Sequence, residues 1–210
     1  MIKNVIFDNG GVIVKYSAEH YLDYFGYDPD KQRKLSMLFS SQEWEETSKG
    51  HITMEDFSNH CKSLYPEWSY EIDEMLDIKN LKYLIPVYPE MINFVKDLKK
   101  DGFKVFMLTD IVETTIEYLN QEIENFEKLW DGLVYSCRVG MVKREGTVFD
   151  YILDKYNLKA NECLFLDDSK NKLEQAKIRG IECYQFLDPS KDLEIVKNII
   201  LMHHANANGT

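Results

Sequence analysis

Acidic residues close three apolar runs of this chain: Asp8 in NVIFDNGG, Asp110 in KVFMLTD, and the pair Asp167–Asp168 in ECLFLDD. Thr109 stands just before Asp110, and Lys143 follows a further apolar run, LVYSC, and is expected to open a helix over REGTVFDYILDKY. One such Asp is weak evidence, because Asp caps helices and opens turns. Three acidic strand ends, a hydroxyl and a lysine on one edge are stronger. Carboxylates packed together repel one another, so a purely structural role does not favour them. A divalent cation makes the cluster favourable.

The elements that must position these residues are legible as pattern. VIFD, KVFMLTD, LVYSC, ECLFLDD and ECYQF have the length and composition of strands buried on both faces. Helical periodicity lies between them. In YPEMINFVKDLKKDG, Pro89 suits a first helical position and Gly102 a C-terminal cap. Met91, Phe94, Val95 and Leu98 share one face at i, i+3, i+4 and i+7. NKLEQAKIRG repeats that logic and ends on Gly180. Strands alternating with helices predict an α/β fold, a Rossmann-like open parallel sheet with helices on both faces. Ligands of such sheets bind at the carboxyl ends of the strands, where the acidic residues fall.

Residues 15–85 break the alternation. TMEDFSNHCKSL opens with a capping box of Thr53 and Asp56, and Phe57, His60, Cys61 and Leu64 then line one face. Aromatic residues are frequent, among them Tyr21, Phe39, Trp44, Phe57 and Trp68, and read first as the core of a small helical bundle. The expected organisation is a core domain of residues 1–14 and 86–205, a helical insert over 15–85 and a flexible tail over 206–210. His20, His51 and His60 fall in the insert and read as exposed or satisfied histidines.

The formal net charge of -11 argues against nucleic acid or an anionic membrane as partner. An anionic ligand must therefore be attracted locally, by a metal or a placed lysine. Cys61, Cys137, Cys163 and Cys183 form no C-x-x-C pair and read as free thiols of a cytoplasmic protein. No signal-peptide pattern is seen, and no run approaches the ~20 apolar residues of a membrane span.

Four segments in this order resemble the haloacid dehalogenase (HAD) superfamily of phosphohydrolases: VIFDNGGV, VFMLTD, Lys143 in GMVKREGTVFDYIL, and LFLDDSKNKLEQAKIRGI. The similarity spans Val5 to about Phe186. It is greatest to the subgroup of sugar-1-phosphate phosphatases and the phosphatase domain of soluble epoxide hydrolase. The insert sits where that subgroup carries its cap, and WEETSKGHITMEDF is similar to its cap sequence.

The resemblance implies Asp8 as a nucleophile that forms an aspartyl-phosphate. It implies Mg²⁺ held by Asp8, Asp168 and the Gly10 carbonyl. Phosphate would be bound by Thr109, the Asp110 backbone N–H and Lys143. Asn171 would hold Asp168 or a metal-bound water in place. Asp167 reads equally as a second layer behind the metal or as a cap of the helix beginning near Ser169. Asp110 could also cap a helix over VETTIEYL.

The chain departs from the family at Gly10, where the usual second Asp serves as general acid/base. That acid contributes typically ~10²–10⁴-fold, and its absence penalises good leaving groups least. Arg144 stands where relatives have Pro, and Lys15 where they often have an acid. The expected activity is Mg²⁺-dependent hydrolysis of a small phosphorylated metabolite, such as a sugar phosphate. The alternatives are a catalytically impaired binding protein and a metal-independent haloacid dehalogenase. Substrate identity and oligomeric state are left open.

Overall fold

The computed structural model describes residues 1–16 and 22–208, the last five by backbone alone. His20 and Tyr21 lie outside the described residues. Five parallel strands form one sheet: β1 (Asn4–Phe7), β2 (Lys104–Thr109), β3 (Gly132–Tyr135), β4 (Cys163–Asp167) and β5 (Glu182–Gln185). Their order is β3-β2-β1-β4-β5. The chain therefore builds outward from β1 on one side, then crosses to the other side at β4. The crevice at that reversal, beyond the ends of β1 and β4, is where ligands of such sheets bind.

Both faces of the sheet are buried, as the continuous apolar runs require. Val5, Phe7, Val105, Met107, Leu164 and Leu166 pack into one cluster. Ile6, Phe106, Leu108, Val134 and Phe165 pack into the other. This is the strand period of two, seen twice over because neither face meets water.

Beyond β1 come α1 (Pro29–Leu38), α2 (Gln42–Ser48), α3 (Met54–Leu64), α4 (Ser69–Leu76) and the short α5 (Leu81–Leu84). The core then resumes with α6 (Pro89–Lys100), α7 (Glu113–Glu122), α8 (Ser136–Val139), α9 (Thr147–Lys155), α10 (Lys170–Lys177) and α11 (Pro189–Asn208). Pro89 opens α6, and Met91, Phe94, Val95 and Leu98 are buried beneath it. Each such side chain contributes roughly 1.5–3 kcal/mol. The capping box of α3 is complete, with Thr53 and Asp56 each bonded to the other's backbone.

The insert joins the core through a narrow stem. The Lys15 amide donates to the Pro86 carbonyl at 2.8 Å, and the Tyr88 amide to Ile13 at 2.9 Å. Val14 and Val87 pair as an antiparallel bridge. The insert is nevertheless packed down: Leu35, Phe57, Cys61, Ile72 and Met75 are continuous with the core cluster on one face of the sheet.

Three boundaries differ from the sequence reading. Lys143 does not open a helix; it lies in a 3-10 turn, Lys143–Glu145, and α9 begins after Gly146 at φ 84°. Asp110 does not cap α7, whose capping residue is Val112. Helix α11 continues to Asn208, into the stretch 206–210 expected as a tail. Among the described residues no helix is long and apolar enough to cross a membrane.

Candidate active site

Asp8 is 3% exposed at the end of β1. Its amide donates to the Leu166 carbonyl at 2.9 Å, which continues the ladder one step and carries Asp8 level with Asp167 and Asp168. The chain then turns hard. The amides of Val12, Ile13 and Val14 all converge on the Asn9 carbonyl.

The two glycines of this turn differ. Gly11 has φ +74°, and a Cβ there would lie 2.8 Å from Asp168 Oδ2, so glycine is what lets Asp168 approach. Gly10 has no positive φ. A Cβ on it would make ordinary contacts with the Tyr16 ring, the nearest at 3.6 Å. The backbone at residue 10 thus does not require glycine.

Lys143 is completely buried and bridges two carboxylates. Its Nζ lies 2.6 Å from Asp8 Oδ1 and 2.6 Å from Asp167 Oδ2. Its backbone amide donates to Asp110 Oδ1 at 2.9 Å, which anchors the 3-10 turn to the end of β2. Asp167 also accepts from the Ser169 amide at 2.8 Å. Its two oxygens are therefore engaged, one by the lysine and one by the start of α10. The capping residue of α10 is Ser169, so Asp167 does not cap the helix but bonds the amide of the residue that does. Thr109 is 1% exposed, its hydroxyl donates to the Asp110 carbonyl at 3.4 Å, and it stands close enough to Asp8 to help lower that carboxyl. Asp168 is half-buried, and its carbonyl accepts from Gln185 at 2.9 Å.

A second lysine joins the group. Lys172 Nζ lies 3.5 Å from Asp110 Oδ2 and 4.0 Å from Asp8 Oδ2. It sits in the first turn of α10, where the helix dipole disfavours a cation, so the carboxylates must hold it there. The sequence reading chose its neighbour Asn171 instead. Asn171 is exposed. The available signal was spacing, since Lys172 is one helical turn past Asp168.

Burial raises the Asp8 carboxyl, but Lys143 and then Lys172 outweigh it and hold the group below its ordinary value. Burial, with Asp8 adding repulsion, pushes Asp167 and Asp168 up. Burial opposes the charge on Lys172, yet Asp8 and Asp110 raise its value on balance. Four carboxyl groups stand against two ammonium groups, and burial, together with the repulsion within this acidic excess, is what raises Asp167 and Asp168. Oxygens of Asp8, Asp167 and Asp168 lie within 4.8 Å of one another. An all-oxygen donor set with that charge suits a hard divalent cation. Asn9 Oδ1 is buried beside Asp8 with no hydrogen-bond partner among the described residues, an acceptor open to a bound group.

A cavity of about 470 Å³ opens onto this cluster. The core supplies Asp8, Gly10, Asp110, Asp168 and Lys172 to its floor. The insert supplies Phe39, Trp44, Glu45, Leu81 and Ile85 to its far wall. The aromatics of the insert therefore divide. Phe57 is fully buried core, whereas Phe39 and Trp44, edge to face at 5.0 Å, line the cavity. His51 and His60 lie outside it and face Glu46 and Glu43. At the rim, Glu45 pairs with Arg144, and Lys49 bridges Glu45 at 2.9 Å and Glu145 at 2.7 Å.

Comparison with known proteins agrees with this geometry. The chain is 25% identical to bifunctional epoxide hydrolase 2 of Rattus norvegicus over 79% of its own length, and spans only 32% of that protein. It is 24% identical to sesquiterpene phosphatase astK of Aspergillus oryzae, covering 85% of this chain and 87% of the relative. It is also 24% identical to D-ribitol-5-phosphate phosphatase of Bacteroides thetaiotaomicron, covering 88% and 92%. The fold matches a HAD family enzyme of Bacteroides thetaiotaomicron solved with magnesium and inorganic phosphate. The TM-score is 0.71 at 18% identity, over 88% of this chain and 94% of that one. The haloacid dehalogenase-like hydrolase family profile matches residues 2–177, which take in Asp8, Thr109, Lys143 and Asp168. With the strand order, the buried Asp8–Lys143 pair and that match in agreement, the chain belongs to the haloacid dehalogenase-like hydrolase family.

Proposed function

We propose that the protein is a Mg²⁺-dependent phosphomonoesterase that hydrolyses a small phosphorylated metabolite through an aspartyl-phosphate at Asp8. The observation that carries this reading is the Asp8 carboxylate, buried at the cavity floor yet held ionised by a fully buried lysine 2.6 Å away. The phosphatase relatives support it.

In this mechanism an Asp8 oxygen attacks phosphorus, the bond to the leaving oxygen breaks, and the alkoxide or phenoxide departs. Water then attacks the phosphorus of the aspartyl-phosphate, releasing inorganic phosphate and restoring Asp8. The water's proton balances the one the leaving group requires. Lys143 offsets negative charge on the phosphoryl oxygens, and its second partner, Asp167, fixes where its Nζ stands. The Thr109 hydroxyl and the Asp110 amide would hold a phosphoryl oxygen. Mg²⁺, held by Asp8, Asp168 and the Gly10 carbonyl, would neutralise the dianion that Asp8 must approach. The insert would act as a lid that excludes water.

Metal-independent dehalogenation is less well supported, because it has no use for Asp168 packed beside Asp8. A silent binding protein is the second reading, favoured by Gly10. The four free cysteines agree with a reducing, cytoplasmic setting. The test is aryl-phosphate hydrolysis with Mg²⁺, and after removal of metal by excess chelator, together with acid-quench trapping of the phosphoenzyme. Phosphate release that needs the metal and passes through labelled Asp8 is the expected result. Turnover that persists without metal overturns it; no turnover and no phosphoenzyme with any ester leaves the binding protein.

A further inference from the structure

The cavity is divided by chemistry along its length. At the floor stand Asp8, Asp110, Asp168 and Lys172. From the insert, Phe39, Trp44, Leu81 and Ile85 line the cavity, and Ile111 and Val112 continue the apolar lining from the end of β2 beside Asp110. Leu81, Ile85, Ile111 and Val112 are each 4–5% exposed, so what little surface they keep is turned to the cavity. Away from the floor, the charged groups lining it are Glu45 and Arg144, and these are paired with each other. Glu45 has a second partner in Lys49 at 2.9 Å. Ser41, also on the wall, is occupied: its hydroxyl donates to Leu38 and accepts from the Trp44 amide.

From this we infer that the substrate is the monophosphate ester of an uncharged, largely apolar alcohol or phenol, its phosphate on the core and its hydrocarbon part against the Phe39–Trp44 wall. The inference rests on the phosphatase reading and deepens it. A second phosphate, a carboxylate or an ammonium group on the leaving group would meet, among the described residues of the wall, only Glu45 and Arg144, and would have to break their pairing to gain a counter-charge. That exchange returns little of the hydration lost. A polyol would find Tyr16, Ser40, Ser48 and Thr115 among the lining groups, but its other hydroxyls would meet Phe39, Leu81 and Ile85, which cannot bond them. An apolar group instead gains by burial, about 25 cal/mol for each Å² removed from water. Gly10 points the same way. With no acid at residue 10, esters whose leaving group needs little protonation lose least, and phenols are of that kind.

The test must separate apolar recognition from leaving-group ability, so esters are compared in matched pairs. Phenyl and 1-naphthyl phosphate have similar leaving groups and differ in apolar area. Hexyl phosphate and glucose 6-phosphate are both primary alkyl esters. The larger or more apolar member of each pair should have the higher kcat/KM by about tenfold or more, expressed in KM. Val112→Thr keeps the shape of the wall and adds a hydroxyl, and should narrow both ratios. Trp44→Ala, checked for folding by circular dichroism, should narrow them further. Binding of 1-naphthylmethylphosphonate against methylphosphonate, by calorimetry with Mg²⁺, needs no turnover. Tighter binding of the naphthyl compound by about tenfold upholds the inference even if no ester is hydrolysed, in which case only the phosphatase reading fails. Equal binding of the two phosphonates, or a preference for the sugar phosphate, overturns the inference while leaving a phosphatase in place.

Discussion

The floor of the cavity and the wall opposite are built by opposite rules. At the floor, charge is taken out of water and paired: Lys143 is fully buried between Asp8 and Asp167, and its backbone amide is held by Asp110. At the wall, charge is sent to the rim. Arg144 keeps 61% of its side-chain surface while pairing with Glu45. Breaking a buried pair by removing one partner costs about 3–5 kcal/mol, whereas an exposed pair contributes about 0–1 kcal/mol. The floor therefore tolerates almost no substitution, and the wall tolerates many. On the proposed function, chemistry would sit where the fold is least free to vary, and substrate choice where it is most free.

Substitutions at the two places should separate accordingly. Asp8→Asn keeps the shape and removes the attacking charge. Turnover should fall below detection with the circular dichroism spectrum unchanged, and no phosphoenzyme should be trapped. Wild-type turnover in this variant would end the covalent mechanism.

Lys143→Met should abolish activity and also destabilise the protein by about 3–5 kcal/mol, because Asp8 and Asp167 are left facing each other unpaired. Urea unfolding measures this. A loss under 1 kcal/mol would mean the floor is no more constrained than the rim.

Gly10→Asp tests the floor's missing acid. The backbone there accepts a side chain, with the nearest contact to a Cβ at 3.6 Å. Wild-type rate should depend steeply on the leaving group, and the variant should recover part of the ~10²–10⁴-fold that an acid supplies to alkyl esters. A wild-type enzyme indifferent to leaving group would mean that another residue already delivers the proton.

Lys172→Met should split two affinities. Removing a cation near Asp8 should tighten Mg²⁺ and weaken inorganic phosphate, by about tenfold each. Calorimetry reads both, and a change of the same sign in both would mark Lys172 as merely structural. The smallest effect belongs to the rim. Arg144→Ala should cost under about 1 kcal/mol in unfolding and alter KM more than kcat. A collapse of kcat instead would make the rim part of the chemistry.

Much of this arrangement was legible in the chain. The strands announced themselves because both faces of the sheet are buried, which leaves unbroken apolar runs such as VFML and LFL. Asp8, Thr109, Asp110, Lys143, Asp167 and Asp168 were found because each closes or follows such a run, and parallel strands bring those ends to one edge. Asn171 was preferred to Lys172 because a one-residue difference on a helix rotates a side chain by about 100°. No local feature marks which of two polar neighbours turns inward. The helix expected to begin at Lys143 failed for a related reason. Gly146 is an ordinary residue in the sequence, and only its positive φ separates the 3-10 turn from α9.

The sequence by itself determined the element order, the strand-end chemistry and the absence of an acid at residue 10, because these depend on residue type and on short-range periodicity. The tertiary structure alone decided the rest. It divided the aromatics of the insert into Phe57, which is core, and Phe39 and Trp44, which face the cavity. It turned Lys172 toward Asp8 and Asp110, and it showed that Gly11 rather than Gly10 needs to be glycine. These facts depend on contacts between residues far apart in the chain, between insert and core for the aromatics and between neighbouring strand ends for Lys172 and Gly11, and such contacts leave no periodic trace in it.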